Sequence, residues 1–292
     1  RGKDVVVGQR LKRRPTIVDK LSRQPSMRLA RMHDIAGCRV IFPDVNLLRD
    51  FRDSLHSSRA RHELLNGDDD KFNYIEKPKT SGYRGVHDVF KYQVSSPMGE
   101  DWNGLRIEIQ YRTTCQHAWA TAVETADLLT KGRAKFSEGE VAYQKFWQLA
   151  SEIVARTGEG DFSCLPEMEN NALVAEFEGL ESELHILRLL EQANEYNPLI
   201  KENISGLFPR KNVHNILVYP FADAGGLSIY QFPSLSHAIE QYAKLEETHA
   251  ERAEVVLVRA EDRESVVRVF QNYFSDTKEF INLIRTGLYR LR

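Results

Sequence analysis

The chain has 292 residues, enough for one large domain or two ordinary ones, and its 41% hydrophobic content can fill real cores. A formal net charge of −2 argues against a nucleic-acid coat or a polybasic membrane binder. No stretch approaches the roughly 18 apolar residues of a membrane-spanning helix, no signal-peptide pattern is visible, and so no membrane partner is expected. Cys38, Cys115 and Cys164 are far apart and lack metal-ligand spacing, which fits a reduced cytoplasm and no disulfide framework. The first residue is Arg1 rather than Met, which implies an upstream part removed.

The near-neutral balance hides a gradient. Residues 1–31 hold ten Lys and Arg against two acids, Asp4 and Asp19, the charge expected of an anion site, an arm on nucleic acid or a solvated helix face. Within it, Pro15 suits the first turn of a helix, with Arg10, Lys12, Arg13 and Arg14 placed to attract anions at its start. Ile35 to Phe42 is a short apolar run ended by Pro43, a buried strand. Leu47, Leu48, Phe51 and Leu55 predict a helix over 45–57. Val89 to Val94 and Leu105 to Tyr111 alternate as strands, and Thr113 to Leu129 reads as a helix. Gly158, Gly160 and Pro166 interrupt the pattern and mark a boundary. Residues 167–197 then predict one long helix whose Leu173, Phe177, Leu180, Leu184 and Leu187 form a seam. That seam packs on the first domain; a second copy of the chain, making a homo-oligomer, is the alternative. After a linker near Gly206, two strands around Asp223-Ala224-Gly225-Gly226, a helix from Ser234, a strand over 254–259 and a last helix capped by Asp262 predict a small α+β unit. The expected division is 1–157, 158–205 and 206–292.

Four clusters carry chemistry. Arg106, Glu108, Gln110 and Arg112 share one face of a strand whose other face is apolar; this is a prepared polar surface for a metal-bound polyphosphate, or a solvated sheet face. Lys77 to His87 places Tyr83 and Arg84 between Gly82 and Gly85 after two lysines, a loop that lets backbone approach a ligand, or a basic hairpin turn. Gly8 to Lys20 is basic but lacks the P-loop pattern, so a triphosphate there is held by side-chain cations. Asp34 stands at a strand edge, where it can share Mg²⁺ with a carboxylate from another strand or simply serve a turn.

Taken in order, Arg10-x-Lys12, Asp34-x-x-Gly37-x-Arg39, Gly82-Tyr83-Arg84-Gly85-Val86-His87 and Glu108-Ile-Gln110-Tyr-Arg112-Thr113 resemble the synthetase domain of the RelA/SpoT family over about residues 5–130. Gln116-His117-Ala118-Trp119-Ala120 is most similar to the small alarmone synthetases and their toxin relatives. No His-Asp pair stands in the context of the family's metal-dependent hydrolase domain. The resemblance implies an α/β (α+β) fold with a nucleotidyltransferase-like mixed sheet flanked by helices, and transfer of pyrophosphate from ATP, with Mg²⁺, to a ribose 3′-hydroxyl. It further implies that Arg10 and Arg39 sandwich the adenine, that Lys12, Lys20 and Thr16 serve the ATP phosphates, and that Asp34 binds the metal. Glu108 would bind metal or take the hydroxyl proton. Tyr83 would stack on the acceptor base, with Lys79, His87, Gln110, Arg112 and His117 around the acceptor. GDP or GTP, an adenine nucleotide, and the 3′ end of tRNA are the acceptors that the resemblance leaves open. In the tRNA case residues 206–292 would act as an antitoxin-like restraint. A non-catalytic nucleotide sensor is the contrasting reading, and the presence of both Asp34 and Glu108 speaks against it. The chain departs from the family in Thr16 for Ser, in Gly85 for Ser, and in Asp88 after His87, an acid expected to weaken binding of an anionic acceptor such as GDP or GTP.

Overall fold

The computed structural model describes residues 5–12, 14–59, 61–67, 70–130, 140–194, 214–220, 228–232, 234–249, 253–259 and 277–292. The expected turn at 223–226, the linker at 206–211 and the cap at Asp262 lie outside them.

Among the described residues, eight strands form one mixed sheet in the order β3-β4-β5-β2-β1-β8-β6-β7. They are β1 Val6–Leu11, β2 Ala36–Phe42, β3 Glu63–Leu64, β4 Val86–Lys91, β5 Arg106–Thr113, β6 His214–Pro220, β7 Ser228–Phe232 and β8 Ala253–Arg259. β2 and β5 run parallel and the other neighbours antiparallel. The strand over residues 6–11 was not expected from sequence: its Val-Val-Val start is short and the basic run after it reads as loop.

Helix α1, Arg14–Arg23, follows β1 directly. Helix α2, Val45–His56, is capped by Asp44, whose side chain accepts from the Leu47 N–H at 2.9 Å. It covers the apolar side of the sheet, where Val40, Phe42, Leu48, Ile75, Val86 and Tyr111 pack together. Helix α3, Thr114–Thr130, leaves β5 and crosses the polar side, with Arg39 reaching Glu124 at 3.9 Å.

Helix α4, Glu140–Val154, runs into a π-helical turn, Ala155–Glu159, ended by Gly160 at φ 65°. This turn falls where the sequence predicts a boundary, at 157–166. The helix predicted over 167–197 is two: α5, Asn170–Leu184, and α6, 186–194. His185 takes a left-handed conformation at φ 55°, and the Glu181 carboxylate accepts from the Leu187 N–H at 3.0 Å, capping the second helix. A sequence with an unbroken seam hides this break, because the local cap, not a Gly or Pro, makes it.

The seam turns inward. Leu173 and Phe177 of α5 join Phe146, Trp147, Leu149 and Ile153 of α4, Trp119 of α3, and Ile186 and Leu190 of α6. Phe280, Ile281 and Ile284 of the last helix, α8 (Lys278–Leu291), complete this core. β6, β8 and helix α7, Leu235–His249, share a separate core of Ile216, Val218, Ala238, Tyr242, Val255 and Leu257, while α8 belongs to the helical layer. β8 also pairs with β1, at Gln9↔Arg259 and Arg10↔Val258.

Gly37 shows how tightly β2 and β5 are drawn together. A Cβ built there would lie 2.6 Å from the backbone oxygen of Glu108. Gly37→Ala is expected to destabilise the fold by about 1–3 kcal/mol through overpacking, read as a lower midpoint in urea, and to displace Glu108 along with it.

Candidate active site

Strand register builds the site. On β2 and β5 the pairs Gly37↔Glu108 and Arg39↔Gln110 share one face, and on β4 His87 pairs with Gln110. Arg10 pairs with Gly37 from β1; its side chain and that of Thr16 lie outside the described residues. The polar face predicted for Glu108, Gln110 and Arg112 is therefore assembled with groups from two neighbouring strands. Arg106, at the strand's start, donates instead to His33 at 2.7 Å.

A chain of contacts runs along that face. Glu108 accepts from Gln110 Nε2 at 2.8 Å and lies 2.9 Å from His87 Nδ1. His87 Nε2 is 2.6 Å from the Tyr83 hydroxyl, which Arg112 approaches at 3.4 Å. Burial works to raise the Glu108 carboxyl, but hydrogen bonds from His87 and Gln110 and the charges of His87 and Lys12 outweigh it and hold it at about 2. Burial also opposes ionisation of Tyr83, yet the positive field of Arg112 and His87 lowers its phenol to about 8.

At the neighbouring edge Asp34 pairs with Lys12, and with Lys20 of α1 at 3.4 Å. Burial pushes its carboxyl up and the charge of Glu108 adds to this, but the two lysines overcome both and hold it below its ordinary value. The charge of Glu108 thus reaches Asp34, and Lys12 acts on both. Among the described residues, no group of three or more His, Cys, Asp or Glu side chains is arranged to hold a metal. Two ionised carboxylates fit Mg²⁺ nonetheless, because that ion takes one or two carboxylates and completes its shell with phosphate oxygens and water.

Beside this chain opens a cavity of about 400 Å³ lined by residues that include Lys79, Tyr83, Arg112, Trp119, Glu124 and Trp147. The Lys79 ammonium lies over the Tyr74 ring at 4.3 Å and the Tyr83 ring at 5.1 Å. Arg112 is buried, and its Nε and Nη1 have no hydrogen-bond partner among the described residues. Buried donors left unpaired cost roughly 1–3 kcal/mol each, more when charged, so this guanidinium is primed for an acceptor from the cavity.

One expectation needs correction. Asp88 does not face the site. Strand alternation turns it to the α2 side, where it is fully buried and takes Arg52 Nη2 at 2.8 Å and His56 Nε2 at 2.7 Å. It therefore does not oppose an anionic acceptor. His117 is buried in α3 and is not among the residues that line the cavity. Sequence reasoning missed the wall that α4 supplies with Tyr143, Gln144 and Trp147. Its only signal was the aromatic spacing Tyr143, Phe146, Trp147, which is also that of a plain core helix.

Residues 9–133 match a family described as a region found in RelA / SpoT proteins. Uncharacterized proteins of Mycobacterium tuberculosis and Mycobacterium bovis are 32% identical over 130 residues, 44% of this chain and 42% of theirs. The chain thus spans less than half the length of these curated relatives. Small alarmone synthetase 1 of Bacillus subtilis is 28% identical over 51% of this chain and 73% of its own, with a TM-score of 0.42. A GTP pyrophosphokinase family protein of Streptococcus pneumoniae is 26% identical over 51% of this chain and 69% of its own, with a TM-score of 0.39.

Proposed function

Starting from a RelA/SpoT-type region at residues 9–133, we propose that this chain transfers pyrophosphate from ATP to the ribose 3′-hydroxyl of an acceptor nucleotide. The observation that carries the reading is Arg112: a buried guanidinium whose Nε and Nη1 find no partner among the described residues, lining a cavity together with the Tyr83 ring, over which it lies at 5.3 Å. A flat aromatic for a base beside a fixed cation for a phosphate is what a nucleotide requires.

In this reading the 3′-oxygen attacks the β-phosphorus of ATP, the bond from that phosphorus to the oxygen bridging the α-phosphate breaks, and AMP leaves with the electron pair. Lys12 and Lys20 hold the triphosphate, and Arg10 and Arg39 flank the adenine. Thr16 offers a hydroxyl at the start of α1. Asp34 and Glu108 would hold Mg²⁺, which supplies charge neutralisation on the phosphates when bound. Glu108, ionised down to about pH 2, is a weak base, and it orients the hydroxyl more than it pulls the proton away. A loose phosphoryl-transfer transition state tolerates this, because positioning and charge do most of the catalysis. Lys79, His87, Gln110 and His117 line the approach to the acceptor.

The test is direct. ATP labelled with ³²P at the γ-position is incubated with Mg²⁺ and, separately, with GDP, GTP, AMP, ADP and deacylated tRNA. Label is expected in a free nucleotide; label in none of them ends the reading, and label in tRNA alone replaces it with the tRNA-modifying one. Tyr83→Ala is expected to raise the acceptor KM by about tenfold or more, the worth of one base–aromatic stack, while leaving the KM for ATP near its original value. Equal loss on both substrates would contradict the stacking role.

A further inference from the structure

Glu159 lies beyond the region matched to RelA/SpoT proteins, in the π-helical turn after α4. It is a buried carboxylate with three partners from three different elements. It pairs with Arg84 of the loop before β4. It accepts from Thr113 Oγ1, at the end of β5, at 2.5 Å. It accepts from Gln116 Nε2, in the first turn of α3, at 3.0 Å. Each partner adjoins a cavity element: Arg84 follows Tyr83, Thr113 follows Arg112, and Gln116 begins the helix that carries Trp119 and Glu124.

We propose that Glu159 is a positioning residue for the acceptor site, joining the three elements whose side chains form that cavity. This deepens the pyrophosphate-transfer reading and rests on it for its kinetic consequence. The turn is the means. A π-helical turn adds one residue per hydrogen-bonded ring and so rotates the residues after it relative to a continuous α-helix, aiming Glu159 back under the sheet. The same helix grips the loop at other points. Ser151 Oγ donates to the Gly82 carbonyl at 2.6 Å, and Gln148 Nε2 donates to the Thr80 carbonyl at 2.7 Å. Gly82, at φ 89°, leaves no space for a side chain: a Cβ would lie 2.9 Å from Ser151 and 3.0 Å from the Trp147 carbonyl. Asp161 adds a second carboxylate to Arg84 at 2.5 Å. With Arg84 drawn inward, Tyr83 is left pointing to His87 and the cavity.

Glu159→Gln keeps the shape of the side chain and removes its charge; Ser151→Ala loosens the loop without touching the ion pair. Two readouts are taken on the full chain. Amide hydrogen exchange over residues 79–85 is expected to quicken by about tenfold or more in Glu159→Gln, and less in Ser151→Ala, while residues 36–42 of β2 exchange as before. In the transfer assay the acceptor KM is expected to rise by about tenfold with the KM for ATP unchanged. Unchanged exchange at 79–85, exchange rising equally in β2, or both KM values rising together would overturn the positioning role. Absence of transfer in the unaltered chain defeats the transfer reading alone, and the exchange data still decide the role of Glu159.

Discussion

Glu108→Gln is expected to lower the transfer rate by about 10³-fold while the protein stays folded. The amide is nearly isosteric, so the packing of β5 against β2 and β4 is kept. The loss is the negative charge that His87 and Gln110 converge upon at 2.9 and 2.8 Å, together with the share in holding Mg²⁺ that is proposed for it. The same substitution alters the response to acid. The Glu108 carboxyl is held at about 2 in the folded chain, against an ordinary value of 4.5. A depressed carboxyl contributes stability that is present above the unfolded value and lost as pH falls through the folded one. The unaltered chain should therefore lose stability between about pH 4.5 and 2, and Glu108→Gln should lose less over that window. Urea midpoints at pH 6 and pH 3 measure this; an equal drop in both proteins would show that the charge of Glu108 is not held as its contacts imply.

The second large effect lies far from the chemistry. Phe280→Ala is expected to cost about 3–5 kcal/mol, read from urea unfolding, because it empties a fully buried site. Its ring lies 5.6 Å from that of Trp147, which lines the cavity proposed for the acceptor, so on that proposal the same variant should also weaken acceptor binding. A chain ending at 205 loses α8 altogether and is expected to lose the helical layer with it. Any restraint exerted by the last segment has to be sought by removing 214–259 while keeping 277–292. A truncation at 205 that folds with unchanged stability would contradict the placement of Phe280, Ile281 and Ile284.

The site was more legible than its surroundings. Strand alternation around Glu108 and the order of the motifs pointed to one polar face, because a period of two decides which side chains meet. Asp88 was misread by the same logic applied one residue short: adjacent strand positions face opposite ways, and Arg52 was waiting on the other side. The break at His185 and the re-aimed Glu159 were not legible, since each depends on a partner distant in space or on a single extra residue in a helical ring. Neither could β8 be seen to join β1. Edge pairing is chosen by which backbone rows remain open after the sheet has formed, and no local pattern records that choice.

The junction of β8 with β1 has a practical cost for anyone dividing this protein. β1 leads straight into Lys12, and β8 occupies its outer row of amides and carbonyls at Gln9 and Arg10. Cutting away β8 leaves that row bare beside Lys12, an open template on which a second molecule can lay down a strand. Shortened forms of the chain will therefore tend to associate through β1, and a change in their turnover has to be judged against their measured particle size before it is attributed to release from control.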